Sequence, residues 1–323
     1  MHPHGATGPL VAALDIGGTK IAGALVDAEG QLLTKALRPT PATEDGESVL
    51  RAVTDVLDEL RAVPQWPATI AVGIGSAGPV DALHGTVSPV NVPGWREFPL
   101  VSRVSQAVGG LPVALTGDGV AMTAAEHWQG AARGYDNALC MVVSTGVGGG
   151  LVLGGALVPG PTGNAGHIGH ISVDLDGDLC PCGSRGCVER IASGPNIARS
   201  ALGGGWQPPA GVAATAAAVA DAARAGDRVA LAAFDRAAQA LAAGIAATAT
   251  LVEIQVAVVG GGVANAGPVL FDPLREHLSR YATLSFAAGV EVVPAKLGTD
   301  AGLVGAAAAA AESLRLEGFT SAP

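Results

Sequence analysis

The feature that most limits the fold is a buried strand broken by glycines and then resumed, and it occurs twice. Leu10 to Leu14 is apolar and ends at Asp15, Gly17-Gly18-Thr19 is a turn signal, and Ile21 to Asp27 reads as a second strand before Gln31 to Leu37. The pattern returns as Ala138 to Ser144 and Gly150 to Leu153, around Ser144-Thr145-Gly146-Val147-Gly148-Gly149-Gly150. The second passage resembles the first, a likeness too slight by itself to establish an internal repeat. Val49, Val53, Val56, Leu57 and Leu60 predict a helix over 48–63, and Thr69 to Ile74 reads as a buried strand running into Gly75-Ser76-Ala77-Gly78-Pro79. Residues 81–99 read as an irregular excursion tipped by Asn91-Val92-Pro93-Gly94-Trp95. Leu111 to Leu115 is a strand ending at Gly117-Asp118, with a helix to about Arg133. Helices follow near 193–203, 211–225 and 228–252, then a strand from Gln255 to Val259, Gly260-Gly261-Gly262 and a helix from Pro268. Val290 to Pro294 is a last strand, and Thr299-Asp300 is expected to cap a final helix to about Arg315. Strands interleaved with helices, plus hairpins, indicate an α/β or mixed-sheet fold in two halves, for which 323 residues is a suitable length.

Only 3% of residues are aromatic, so the core must rest on aliphatics and close backbone packing, and the tract Gly305 to Ala311 reads as a packed helix. No apolar run free of Gly, Pro and charge reaches the ~20 residues that cross a bilayer, which points away from membranes. Met1-His2-Pro3-His4-Gly5 lacks the basic-then-apolar pattern of a signal peptide, so a cytoplasmic location is expected. The net charge of −10 argues against nucleic-acid binding, which needs clustered Lys and Arg.

Five constellations carry chemistry. In Asp15-Ile16-Gly17-Gly18-Thr19-Lys20 the glycines let backbone N–H groups approach a phosphate, Thr19 and Lys20 add donors, and Asp15 could hold a metal-bound water. An ordinary hairpin turn is the competing reading. Ser144 to Gly150 is either a β-bulge or a second phosphate loop. Gly117-Asp118 sits at a strand-to-helix junction, where Asp118 is either an N-cap or a general base. His170, Cys180, Cys182 and Cys187 make a Cys₃His set suited to tetrahedral Zn²⁺, with Gly183 and Gly186 for the turns; four protein ligands leave no open position, so the site would be structural. Crowded thiols of this kind suit metal binding in a reducing compartment. His167, His170 and Glu189 could converge as hydrogen-bonding groups for a sugar, whose hydroxyls each need a partner once dehydrated.

With these motifs in this order, the sequence from about residue 11 to 312 resembles the ROK group of sugar kinases and sugar-responsive repressors. The resemblance implies an actin-like (ribonuclease H-like) two-domain fold with an interdomain cleft. It implies a small N-terminal domain, 1–117, completed by the C-terminal helix 300–323, and a larger domain, 118–299, holding the zinc segment 170–187. Asp118 would be the general base. Asp15, Gly17, Gly18, Thr19, Lys20, Thr145 and Gly146 would serve Mg²⁺ and the phosphates of ATP, and Gly260, Gly261 and Gly262 the nucleoside. Gly78, Asn91, Asp118, His167, His170 and Glu189 would line the sugar site, and His170 would also bind zinc with the three cysteines. The implied reaction moves the γ-phosphoryl group of ATP to the 6-hydroxyl of a hexose or N-acetylhexosamine, in the manner of a glucokinase or N-acetylmannosamine kinase, within a homo-oligomer. Two positions depart from the family pattern: His167 stands where Glu is usual, and Gly117 where Asn is usual. A sugar-binding protein with little turnover is therefore an alternative. A repressor is not expected, since fourteen residues before Asp15 are too few for a winged helix.

Overall fold

The structure, a computed structural model, describes residues 8–319. It divides into two compact units: 8–134, 157–165 and 299–319 form the first, 135–156 and 166–298 the second.

In the first unit, β1 (Leu10–Ile16), β2 (Lys20–Val26) and β3 (Leu32–Pro39) form a meander, followed by α1 (Gly46–Arg61) and β4 (Thr69–Ser76). A two-residue ladder of β5 (Val80–Asp81) and β6 (Thr86–Val87) leads to α2 (Leu100–Ala107), β7 (Val113–Gly117) and α3 (Asp118–Gln129). The sheet order is β3-β2-β1-β4-β7, with β4 parallel to β1 and β7 parallel to β4. Helix α1 buries the predicted stripe Val49, Val53, Val56, Leu57 and Leu60, each worth about 1.5–3 kcal/mol of burial. The last helix among the described residues, α9 (Ala301–Leu314), packs against this sheet and against α3. Its alanines and glycines bring backbones into contact: a Cβ on Gly73 of β4 would stand 2.1 Å from the Ala306 carbonyl oxygen.

That packing moves the domain boundary. A Cβ on Gly305 would lie 1.7 Å from the Ala121 carbonyl oxygen, so α3 is locked to α9 and stays in the first unit; the division falls after Gly134, not between 117 and 118 as expected. The excursion over 81–99 is less irregular than expected, since the β5–β6 ladder and a Val87–Phe98 bridge organise it.

In the second unit, β8 (Ala138–Val143) and β9 (Val147–Leu153) form a hairpin, and β10 (Ala156–Val158) begins where the chain passes back to the first unit. Then come α4 (Val188–Ala192), α5 (Gly194–Gly203), α6 (Ala216–Arg224), α7 (Arg228–Val252), β11 (Val256–Gly260), α8 (Pro268–Tyr281) and β12 (Glu291–Pro294). The order β10-β9-β8-β11-β12 repeats the plan of the first sheet: a hairpin, then parallel strands added beside its first member. Helix α7 has the length and hydropathy of a membrane span, but most of its apolar window is buried against neighbouring helices, so it is the unit's core helix. Asp227 caps it through the N–H groups of Val229 and Ala230. Helix α6 is shorter than the expected 211–225 because Thr215 caps it by accepting from the N–H of Ala218.

Candidate active site and metal centre

In the first unit the turn after β1 closes with a hydrogen bond from the Gly17 N–H to the Lys20 carbonyl (3.0 Å), and the Thr40 hydroxyl donates to the Gly17 carbonyl (2.7 Å). Thr19 and Lys20 are exposed. Asn91 is brought against this turn: a Cβ on Gly18 would stand 2.3 Å from its Nδ2. Asn91 is placed there by its neighbours, because Trp95 is fully buried and its Nε1 donates to the Gly46 carbonyl at the start of α1 (2.9 Å).

Asp15 is half-buried near the end of β1. Burial pushes its carboxyl above the ordinary range, with the Lys20 ammonium opposing and the Asp118 carboxylate adding to the rise. Asp118 is not the N-cap of α3. Gly117 holds that position, and Asp118 is the first helical residue, its Oδ1 accepting from the Gly119 N–H (2.7 Å). Its side chain reaches solvent, yet the surrounding protein atoms desolvate the carboxyl enough to raise its pKa, against the pull of the Gly119 hydrogen bond. Two carboxylates with raised pKa values in mutual electrostatic range are an arrangement suited to proton transfer. Asp300 likewise fails to cap α9 with its side chain; its carboxylate instead pairs with Lys35 Nζ at 2.7 Å.

Gly78 lies beside Asn164, whose Oδ1 accepts from the Val80 N–H (3.2 Å) and whose Nδ2 donates to the Val80 carbonyl (2.7 Å). Space beside Gly117 is smaller than the loss of a side chain suggests, since a Cβ there would stand 3.3 Å from the Gly163 carbonyl oxygen. Sequence reasoning missed Gly302 on α9. A Cβ there would lie 2.5 Å from the Asp15 carboxyl carbon, so only glycine leaves that carboxylate its place. A glycine inside the first turn of an otherwise alanine-rich helix was the available signal.

In the second unit the Ser144–Gly150 turn joins three motifs. The Ser144 N–H donates to the Gly146 carbonyl (2.8 Å), and the Gly194 N–H donates to the Ser144 carbonyl (2.7 Å). Gly261, at φ +87°, backs onto the Val143 carbonyl, and Gly262 faces the Ser144 hydroxyl. Glu189 Oε2 accepts from the Val147 N–H (2.8 Å). His167 is exposed, with its ring stacked on that of His170 at 5.0 Å; burial and His170 lower its pKa, while the Glu189 carboxylate opposes. His167, His170 and Glu189 thus come together in one unit.

The ligand atoms of His170, Cys180, Cys182 and Cys187 all lie within 4.8 Å of one another. His170 Nδ1 is 3.8 Å from Cys180 Sγ, and the sulfurs of Cys182 and Cys187 are 3.7 Å apart. A tetrahedral zinc with Zn–S bonds of about 2.3 Å requires S···S edges of about 3.8 Å, so the set fits that ion. Burial and the neighbouring thiols push Cys187 up to about 12, an environment in which a bound cation is what makes the thiolate favourable. Gly183 and Gly186 have φ of +94° and +58°, and a Cβ on Gly186 would strike the Asp174 carbonyl, so both turns require glycine.

Residues 11–313 match the model of the ROK family. A glucokinase of Thermotoga maritima is 36% identical over 305 residues, covering 91% of this chain and 95% of that one. An N-acetylmannosamine kinase of Escherichia fergusonii is 39% identical over 295 residues, covering 91% and 96%. Among solved structures, a ROK family glucokinase from Streptomyces griseus in complex with glucose and AMPPNP aligns with a TM-score of 0.77 and 37% identity, over 92% of this chain and 98% of that one.

Proposed function

The chain belongs to the ROK family, with its actin-like two-domain fold, and on that premise we propose that it is an ATP-dependent sugar kinase acting on the 6-hydroxyl of a hexose or N-acetylhexosamine. The observation that carries the reading is Asp118: a carboxylate open to solvent, held above the ordinary pKa range by its surroundings, with Asp15 in electrostatic range. Asp118 accepts the proton of the attacking hydroxyl as its oxygen bonds to the γ-phosphorus and the bond from that phosphorus to the β–γ bridging oxygen breaks, releasing ADP, a role worth on the order of 10²–10⁴ in rate. Asp15 is the group that would hold the Mg²⁺ of MgATP, which when bound neutralises charge on the transferring phosphoryl group. The N–H groups of the Gly17–Lys20 and Thr145–Gly146 turns donate to phosphate oxygens, and Gly260 to Gly262 approach the nucleoside. Asn91, Gly78, His167, His170 and the free oxygen of Glu189 contact the sugar. Excluding water protects the phosphoryl group from hydrolysis.

His170, Cys180, Cys182 and Cys187 would hold a structural Zn²⁺ that fixes the segment carrying His167 and His170 relative to Glu189. Three reduced thiols suit a cytoplasmic setting, and assembly as a dimer or tetramer belongs to the same reading. Sugar-dependent ADP release, slowed at least about a hundredfold in Asp118→Asn, tests the proposal. Sugar binding without ADP release would instead make the chain a sensor.

A further inference from the structure

A cavity of about 500 Å³ in the second unit is lined by Thr145 and Glu189 and also by Arg190, Asn196 and Arg199. Nothing in the phosphoryl-transfer reading uses these three residues. Both arginines aim an Nη1 at one acceptor, Asn196 Oδ1; the contact from Arg190 is 2.6 Å and that from Arg199 shorter still. Asn196 is itself fixed, because its Nδ2 donates to the Glu189 carbonyl (2.9 Å) and to Ser193 Oγ (2.7 Å). With both donors and both lone pairs engaged, it holds two like charges close together. Arg190 is further pinned by its Nε to the Leu179 carbonyl, next to the first cysteine of the metal set.

Asp174, Asp176 and Asp178 line a neighbouring cavity that the two arginines also border, and among the described residues only Asp178 forms an ion pair with either of them. Asp174 pairs with Arg236, and Glu189 turns an oxygen to the Val147 N–H. Asp178 reaches Arg190 at 3.2 Å but is itself 75% exposed, so water screens the pair. Arg199 forms no ion pair among the described residues. Two guanidinium forks present more N–H donors than the two oxygens of a carboxylate can take, whereas a phosphate offers three terminal oxygens and up to two negative charges.

We propose that this pocket binds a phosphate group, either as orthophosphate or as the phosphate of a sugar 6-phosphate, held by Arg190 and Arg199. The cavity exceeds one phosphate in size, so a sugar ring can accompany it; that second source rests on the kinase reading, because the sugar phosphate is then the product. Sharing Thr145 and Glu189 with the reacting groups makes the bound ligand an inhibitor of turnover.

The test is titration calorimetry on the full chain with orthophosphate and with N-acetylmannosamine 6-phosphate, for wild type, Arg199→Ala and Arg199→Lys. The pocket predicts one site per chain, at least a tenfold weaker Kd in Arg199→Ala, and a smaller loss in Arg199→Lys, which keeps the charge and loses the fork. Equal affinity for both ligands identifies the phosphate alone as the ligand, and a sugar phosphate bound at least tenfold tighter identifies the product. Without added phosphate, the KM values for ATP and sugar should change less than twofold. Absence of binding at millimolar ligand, an unchanged Kd in Arg199→Ala, or a KM for ATP that rises as much as the phosphate Kd would each overturn the proposal. Calorimetry needs no turnover, so a chain that binds phosphate here without kinase activity refutes the kinase reading alone.

Discussion

Glu189 accepts a hydrogen bond from the backbone N–H of Val147 at 2.8 Å. One of its oxygens is thereby fixed against the glycine turn, and a Cβ on Gly146 would stand 2.7 Å from that oxygen. The carboxylate proposed for the sugar and the turn proposed for phosphate therefore form one rigid piece, with a single Glu189 oxygen left for a ligand.

Asp118→Asn should lower kcat by at least about 10² while preserving the fold. Its carboxyl has a folded pKa above the unfolded one, so its contribution to stability is present at low pH and lost as pH rises through the folded value. At pH 7 the ionised side chain is a net cost, and the neutral variant should melt no lower than wild type. The same direction places the acidic limb of kcat/KM above the ordinary aspartate value of about 3.9. A limb at or below that value, or a variant keeping more than about a tenth of wild-type kcat, assigns Asp118 to the helix start alone.

Metal removal should cost both stability and sugar affinity if His170, as proposed, holds the ion and contacts the sugar. Elemental analysis is expected to find one zinc per chain, and chelation to lower Tm and weaken sugar binding. Protein prepared without chelator and free of metal contradicts this.

Gly302→Ala should reduce kcat without lowering Tm. Alanine favours a helix over glycine by about 1 kcal/mol, but here its Cβ intrudes on the Asp15 carboxylate. Unchanged kcat would mean that Asp15 has freedom to move.

The sugar preferred should not be unmodified glucose. An imidazole at 167 offers at most one acceptor where a carboxylate accepts from two hydroxyls, and charge-assisted bonds are about twice as strong as neutral ones. A sugar altered at C1, C2 or C3, such as N-acetylmannosamine, suits it better. His167→Glu should raise kcat/KM for glucose about tenfold relative to the preferred sugar; comparison across glucose, mannose, allose, fructose, N-acetylglucosamine and N-acetylmannosamine decides it.

Strands and helices with strong periodicity were legible, as α1 and β1 show, and the clustering of His170 with the three cysteines was legible because their spacing is local. Three things were not. Helix α2, Leu100–Ala107, has only eight residues and no side-chain cap, too short a stretch for its periodicity to stand out. The placement of α3 depends on Gly305 meeting Ala121 from a helix about 180 residues away, a contact no local pattern encodes. Asn196 and its two arginines carry no motif, and only the fold of α4 against α5 brings them onto one oxygen.

Phosphoryl transfer to sugar can be followed directly by ³¹P NMR of ATP with a sugar panel and zinc-replete protein. ADP and a sugar 6-phosphate should appear in equal amounts, and only when sugar is present. Inorganic phosphate in place of the sugar ester, or no ADP above the enzyme-free control with any sugar, would contradict that transfer.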